Sequence, residues 1–162
     1  EADTYQKTAI LANGDVDVWI HHNTIGASAT QADLAANSVQ LGFGAIGSVR
    51  HNHIDGNQWL GTSDFAATAV FVFDVDGADV SQNNILGNAD VGIFLVLSDN
   101  GTVDNNRVFD TGPDGPHGDF GIADVAGTNN QVTNNKVRGF DTPYFGVTGG
   151  KNKVIPGPQA FN

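Results

Sequence analysis

Val80-Ser81-Gln82-Asn83-Asn84-Ile85 is one of five copies of a phrase, apolar-x-x-Asn-x-apolar, that decides the fold of this chain. The other copies occupy residues 20–25, 49–54, 103–108 and 132–137. The anchoring asparagines therefore stand at positions 23, 52, 83, 106 and 135, in steps of 29, 31, 23 and 29 residues. A period of about 20 to 50 residues predicts a stacked repeat.

Each copy of the phrase is too short and too β-branched for a helix, and its apolar positions fit two strands joined by a tight turn that contains the Asn. A second apolar run follows in every period, at residues 39–43, 69–73, 91–97, 120–122 and 144–147. One period thus gives about three strands and three turns, with no helix to cross back over a sheet. We expect each strand to pair with its equivalent in the next period, which builds a solenoid of parallel strands.

This arrangement gives the recurring asparagine a structural role. Its side chain can turn inward at the corner, bond backbone groups there, and bond the Asn of the next coil about 4.8 Å away. We therefore predict one inward column made of Asn23, Asn52, Asn83, Asn106 and Asn135.

The phrase V-x-x-N-x-I-x-G, followed by a Gly-Ile-like strand, resembles the right-handed parallel β-helix repeat of pectate-lyase-like proteins. The resemblance covers roughly residues 16 to 155 and implies an all-β, right-handed parallel β-helix of about five to six coils. By length, residues 1–162 read as a single domain. Many members of the family carry a capping helix, for which residues 5–11 are the one candidate; otherwise the chain is a piece of a longer β-helix.

The chain is acidic, and this charge bears on its partners. It has 18 acidic and 7 basic residues among 162, for a formal net charge of -11. Nucleic acid and anionic membranes are disfavoured as partners, and no apolar stretch is long enough to span a bilayer. The absence of Cys excludes disulfides, thiol catalysis and thiolate metal sites. The composition and an N-terminus that begins with Glu lead us to expect an extracellular or cell-surface protein.

Four of the five histidines fall on one predicted corner. Stacking the repeats places His21, His22, His51 and His53 on adjacent coils, with Arg50 among them. Imidazoles about one strand spacing apart could bind a divalent metal or transfer protons near neutral pH. We assign this corner as a substrate-binding site; the alternative is an exposed turn filled with polar side chains.

Two aspartates form a second column. Asp76 and Asp99 each stand seven residues before an anchoring Asn, so they should occupy the same turn of neighbouring coils. Carboxylates placed so closely could share a proton or a Ca²⁺ ion. Ordinary turn chemistry explains them equally well, because Asp favours tight turns.

The segment from Asp110 to Asp119 is a loop-like insert that carries Asp114, His117 and Asp119 together. Uronate epimerases of the resembled family have an Asp-Pro-His motif, of which only Pro116-His117 matches here, so that chemistry is not carried over. Lyases of this fold use an Arg or Lys base, but no lyase motif can be placed here residue by residue. Arg107 and Lys136 belong to the basic cluster of coils four and five, which could meet the carboxylate of a uronate sugar. We predict Asp114, His117, Asp119 and Arg107 as the catalytic set; these groups are otherwise rim and turn residues.

The second strand of each period is apolar on both faces, so some of its side chains must point out of the coil. An outward strip made of Phe71 or Phe73 beside Phe94 or Val96 would be an exposed apolar patch unless it is covered. We expect a cover, either a loop from residues 26–37 or 57–67, or a second subunit in a homo-oligomer.

Taken with the resemblance, these features lead us to expect an extracellular domain that binds or processes a polysaccharide, as a polysaccharide lyase or glycoside hydrolase if it is active. The alternative function is a non-catalytic structural or adhesive solenoid that could form a homo-oligomer. The predicted site residues fall at three separate places, which favours neither reading.

Overall fold

The computed structural model describes residues 1–29 and 32–156, and within them the chain winds through three parallel sheets. Each coil contributes one strand to each sheet, and every strand pairs in parallel with its equivalent in the next coil. The predicted parallel β-helix is therefore confirmed, with five full coils and two strands of a sixth.

Sheet 1 has six strands, the second apolar run of each period. They are β1 (Thr8–Asn13), β4 (Asn37–Gly42), β7 (Thr68–Phe73), β10 (Val91–Val96), β13 (Phe120–Val125) and β16 (Thr142–Phe145).

Sheets 2 and 3 are built from the two halves of the Asn phrase. Sheet 2 contains β2 (Asp17–His21), β5 (Ile46–Arg50), β8 (Asp79–Ser81), β11 (Thr102–Asp104) and β14 (Gln131–Thr133). Sheet 3 contains β3 (Thr24–Ile25), β6 (His53–Asp55), β9 (Asn84–Gly87), β12 (Arg107–Asp110), β15 (Lys136–Arg138) and β17 (Lys153–Val154).

The corner between sheets 2 and 3 carries the predicted asparagine column. The Oδ1 atom of Asn83 accepts from the backbone N–H and the side-chain amide of Asn52, both at 3.0 Å. The pattern repeats from Asn23 to Asn135 and continues to a sixth member, Asn152, whose Oδ1 lies 3.2 Å from Nδ2 of Asn135. The inward column is confirmed, and it is one rung longer than the repeat predicted.

The residue before each anchoring Asn makes the turn. His22, His51, Gln82, Asn105, Asn134 and Lys151 all have φ between 54° and 63°, in the left-handed region. None of them is glycine, so the six corners repeat a conformation that L residues adopt at a cost. The hydrogen bonds between the side-chain amides of the asparagine column hold the chain in this left-handed conformation.

The core runs along the axis as stacks of aliphatic side chains. On sheet 1, Val70 and Val72 point inward beside Ile93 and Leu95 of the next coil, all essentially buried. Their neighbours Phe71 and Phe94 point outward with ring centroids 5.7 Å apart. The outward phenylalanine strip predicted from the sequence is confirmed.

The helix considered for residues 5–11 is wrong. Residues 8–13 form β1, because they pair in parallel with β4 and bury Ala12 in the core. The residues before it cover part of the first coil: Ala2 bridges Ile25, and the Tyr5 hydroxyl donates to Ser38 at 2.9 Å.

Candidate functional site

The connections from sheet 3 to sheet 1 are the irregular part of each coil, and they differ widely in length. Coils one, two and four have long connections, at residues 26–36, 56–67 and 111–119, whereas coils three and five cross in three residues each, at 88–90 and 139–141. The long connections of coils two and four contact the short connection of coil three, which lies between them.

Asp90 forms hydrogen bonds with the long connections of coils two and four. It is 2% exposed, and its Oδ2 accepts the backbone N–H groups of Trp59 and Ala67 at 2.9 and 2.8 Å. Its backbone carbonyl accepts from Asp119 and Phe120 at 2.7 and 2.9 Å. One residue of the short turn thus fixes the start and end of one long loop and the end of another.

The two loops also contact each other directly. The ring nitrogen Nε2 of His117 lies 2.6 Å from the carbonyl oxygen of Gly61, and its ring stacks near Trp59 at a centroid distance of 6.5 Å. Nε2 of Gln58 donates to the carbonyl of Pro113 at 3.1 Å. His117 therefore serves as a contact between loops, with one ring nitrogen engaged by backbone.

A cavity of about 600 Å³ opens on the outer face of sheet 1, between the first two long loops. Its floor contains Phe71 and Phe94, and the loops supply Leu34, Trp59 and Phe65. Its polar lining consists of Lys7, Asp33, Asn37, Ser63, Asp64 and Thr68. The predicted loop cover over the phenylalanine strip is confirmed; residues 30 and 31 of the first loop lie outside the described residues.

A smaller hollow of about 100 Å³ continues the cavity along the solenoid axis. It shares Ala66 and Phe94 with the larger cavity and reaches Gly118, Phe120 and Phe145. Because these residues belong to successive coils, cavity and hollow together form a groove that runs across the strands of sheet 1. We call this the sheet 1 groove.

Three carboxylates lie close together at the long connection of coil four, residues 111–119, which we call the fourth loop. Asp110, Asp114 and Asp119 place one oxygen each within 4.8 Å of one another. Burial raises the pKa of Asp110 to about 6, with Asp119 and Asp114 adding to the rise. Burial likewise raises the pKa of Asp119. Asp110 and Asp119 therefore keep their protons to higher pH than ordinary aspartates do.

Asp119 is also conformationally strained. Its φ is 101°, a region that side-chain-bearing residues rarely enter, and it follows Gly118 at φ 71°. Three hydrogen bonds hold Asp119 in this conformation. Its N–H donates to the Asp90 carbonyl, and its own carbonyl accepts from the N–H of Thr142. Its Oδ2 accepts from the N–H of Asp141 at 2.5 Å. Such over-determined strain is common at functional sites.

The predicted catalytic set is only partly brought together. Asp114 and Asp119 share the carboxylate cluster, with Asp110 as a third member, while His117 turns to the neighbouring loop. Arg107 lies on β12 of sheet 3, where its guanidinium sits 4.8 Å from the ring centre of Phe109. Lys136 is its exposed neighbour on β15. Catalytic and substrate roles for these residues stay predictions.

The predicted histidine corner exists as a cluster. Nδ1 of His21 lies 3.0 Å from Nδ1 of His22, and the rings of His22 and His51 stack in parallel at 5.2 Å. Arg50 is ion-paired with Asp79, and His53 contacts the side chain of Asn84 at 3.0 Å. Substrate binding at this corner stays a prediction.

Asp76 and Asp99 are neighbours, as predicted, and form a bridge between coils. Each carboxylate is engaged by turn residues: Asp76 accepts from the Asn100 amide at 2.8 Å, and Asp99 accepts from the N–H and hydroxyl of Thr128, both at 2.7 Å. These bonds account for both residues as turn formers, and Ca²⁺ binding there stays a prediction.

Sequence reasoning missed the residues that shape the groove, namely Trp59, Phe65, Asp64, Lys7 and Asp90. Trp59 stood in a loop outside the repeat, and repeat alignment gives no partner for it. Asp90 had one usable signal, since a carboxylate directly before a buried strand and after a very short connection can cap backbone amides.

Comparison with known proteins agrees with the fold. A family model described as a right-handed β-helix region matches residues 3–155. No curated protein and no solved structure matches the chain. Among the described residues there is no helix long and apolar enough to cross a membrane. Because the matched region takes in nearly the whole chain, the protein belongs to the right-handed β-helix family.

Proposed function

We propose that the protein binds a polysaccharide chain in the sheet 1 groove. The observation that carries this proposal is the lining of the cavity, which combines aromatic rings with hydrogen-bonding groups. A sugar ring has apolar C–H faces and a rim of hydroxyls, so it needs flat apolar surfaces beside donors and acceptors. Phe71, Phe94 and Phe65 supply the first, and Lys7, Asp33 and Asp64 the second.

The direction of the groove favours a polymer over a single small molecule. Phe71 and Phe94 occupy the same register on adjacent coils, and Phe120 and Phe145 pack edge to face further along, at 5.3 Å. A linear chain lying along the solenoid axis would meet one aromatic group after another. Such a ligand fits an extracellular or cell-surface protein, which is the location we propose.

Processing of the bound chain is the finer part of the proposal. The groove passes Gly118 and Phe120, which flank Asp119 of the carboxylate cluster. A carboxyl group whose pKa is about 6, such as that of Asp110, can donate a proton near neutral pH. Lyase or hydrolase chemistry would use this cluster, and loss of turnover in Asp119→Asn with retained binding would support it.

A second function is favoured by apolar side chains outside the groove. Phe43 and Leu97 are each more than half exposed, although Phe43 contacts Phe73. A non-catalytic adhesive or structural solenoid would use such a surface to pack against a second copy. In that case the protein would associate in solution and would not bind glycans.

The two tryptophans allow a direct test of glycan binding. Trp59 lines the cavity, whereas Trp19 lies on β2 of sheet 2 and is 77% exposed. In Trp19→Phe, the remaining fluorescence comes from Trp59, and titration with neutral and acidic oligosaccharides should shift it. In Trp59→Phe, the same titration should leave the Trp19 emission unchanged.

Phe65→Ala tests the same site without touching the core, because Phe65 is 64% exposed within the cavity wall. Phe43→Ala is the matched control, since Phe43 is 56% exposed but does not line the cavity. We expect weaker glycan binding for Phe65→Ala alone. Equal affinities for both variants, or no fluorescence response to any glycan, would refute the groove as the site.

A further inference from the structure

We propose that His21 and His22 form a binding site for a divalent transition-metal ion of tetragonal geometry, such as Cu²⁺. The proposal is independent of glycan binding, since the pair lies at the corner of sheets 2 and 3 and not at the groove. Its basis is the placement of two imidazole nitrogens, the backbone that fixes them, and the charges around them.

The distance between the two nitrogens suits chelation. Nδ1 of His21 and Nδ1 of His22 are 3.0 Å apart. With each nitrogen about 2.0–2.1 Å from a bound ion, that separation corresponds to an N–metal–N angle of about 90–97°. This is the angle between adjacent ligands in a square-planar or octahedral site, the geometries that Cu²⁺ and Ni²⁺ adopt. A tetrahedral ion would need the nitrogens roughly 3.3–3.4 Å apart.

The backbone under the pair is held in place. His21 ends β2, which pairs with β5, and its carbonyl accepts from the Asn23 amide at 3.1 Å. His22 has φ 57°, the left-handed turn that Asn23 and the ladder stabilise. The switch from strand to left-handed turn between consecutive residues is what brings two adjacent side chains to one side.

The neighbouring coil supports the site without blocking it. The ring of His51 stacks on that of His22 with planes 2° apart, which fixes the orientation of the His22 ring. Arg50, on the adjacent strand β5, is the register partner of His21, and its charge is compensated by Asp79. Within residues 1–29 and 32–156, that is the one ion pair, so no carboxylate competes for the imidazoles.

The test is a Cu²⁺ titration of the whole chain with its amino terminus acetylated, followed by calorimetry and electron paramagnetic resonance. Wild type should bind one ion with a tetragonal spectrum and nitrogen hyperfine splitting. His21→Ala and His22→Ala should each lower the affinity roughly 10- to 100-fold, at least the loss seen when supporting residues of metal sites are removed.

His53→Ala is the matched control, because His53 is an exposed histidine of the same corner that contacts Asn84 and not the pair. It should leave affinity and spectrum unchanged. All three positions are exposed, so the variants should keep the wild-type circular dichroism. Failure of wild type to bind, unchanged affinity in both His21→Ala and His22→Ala, or an equal loss in His53→Ala would overturn the proposal.

Discussion

One anchoring asparagine satisfies several backbone and side-chain groups at once. The Oδ1 of Asn83 accepts two bonds from Asn52, and its Nδ2 donates to the Val49 carbonyl at 2.8 Å and to Asn106 at 3.1 Å. All of these groups are buried, so each would lose its partner if the side chain were removed. The column is therefore a requirement of the corner and carries no sign of ligand binding.

Asn83→Ala should lower the free energy of unfolding by about 1–3 kcal/mol, because it leaves buried polar groups unpaired. The control is Asn84→Ala, one residue away, whose side chain points outward and contacts His53. That substitution should change stability by less than about 0.5 kcal/mol. Urea titration measures both, and equal losses in the two variants would contradict the ladder.

Asp90 should make stability depend on pH in an unusual direction. Burial raises its pKa to about 6, above the ordinary value near 3.8, so the folded state binds more protons than the unfolded state between these pH values. Stability therefore falls as pH rises from about 4 to 6. Asp110, whose pKa is also raised to about 6, acts in the same direction.

Asp90→Asn should flatten part of this dependence, leaving the contributions of Asp110 and Asp119, whose pKa values burial also raises. The measurement is the urea midpoint at pH 4.5 and 6.5 for both proteins. A variant whose midpoint shifts between these pH values as much as that of wild type would show that the Asp90 carboxyl does not carry the effect.

At the scale of elements, the long loops are ordered by the short turn beneath them. Coil three, which crosses in three residues, lies between two long connections, and Asp90 forms hydrogen bonds with both of them. Close approach is needed at Gly118, since a Cβ atom on it would lie 2.7 Å from the Asp90 carbonyl oxygen. The groove wall depends on this contact, although the repeat does not.

Gly118→Ala should therefore destabilise the fourth loop by about 1–3 kcal/mol, from a left-handed φ combined with a backbone clash. Gly44→Ala is the control: its φ is 86°, and a Cβ there meets nothing within 4 Å. Amide hydrogen exchange at Phe120, which donates to Asp90, should quicken in the first variant only. Similar exchange rates in both variants would mean that the close contact contributes little.

At the scale of the whole molecule, the solenoid is a regular scaffold with one elaborated face. Sheets 2 and 3 are joined by near-identical turns, while the connections into sheet 1 vary and enclose the cavity. Chemical variety is thus concentrated on one side of a rigid stack. Such a division, with function on loops and stability in the repeat, is common in scaffolds of this kind.

Shortening the long connection of coil two should expose the outer face of sheet 1 and make the protein associate. Replacing residues 58–66 with a turn as short as that of coil three would uncover Phe71 and Phe94. Exposed apolar patches promote association, so light scattering should report a mass well above that of wild type, whose chain is 16.9 kDa. A loop-shortened protein with the wild-type mass would show that the loop is not needed to shield the strip.

The sequence predicted the scaffold far better than the site, for a physical reason. Asn83, Val80 and Ile85 recur in register, so each copy of the phrase supports the same inference about strands, corner and core. Trp59 and Asp90 occur once, and their meeting depends on how loops of unequal length fold over sheet 1. Nothing in the spacing of Asn57 to Ala67 encodes that contact.

The histidines and aspartates also show which side-chain contacts the alignment of repeats can predict and which it cannot. Stacking placed His22 beside His51 and Asp76 beside Asp99, and both contacts are present. It could not show that His117 contacts the carbonyl of Gly61. Nor could it show that Arg107 packs over Phe109 on sheet 3, away from the groove of sheet 1. Side-chain direction within an insert is set by its own packing, which a repeat does not predict.

The measurement that tests the central claim most directly is a map of amide and indole chemical shifts during titration with oligosaccharides. Binding in the sheet 1 groove predicts shifts at Phe65, Phe71, Phe94 and the Trp59 indole, whose N–H donates to Ser63. Residues at the corner of His21 and His51 should stay unchanged. Shifts confined to that corner, or no shifts with any glycan, would contradict the account.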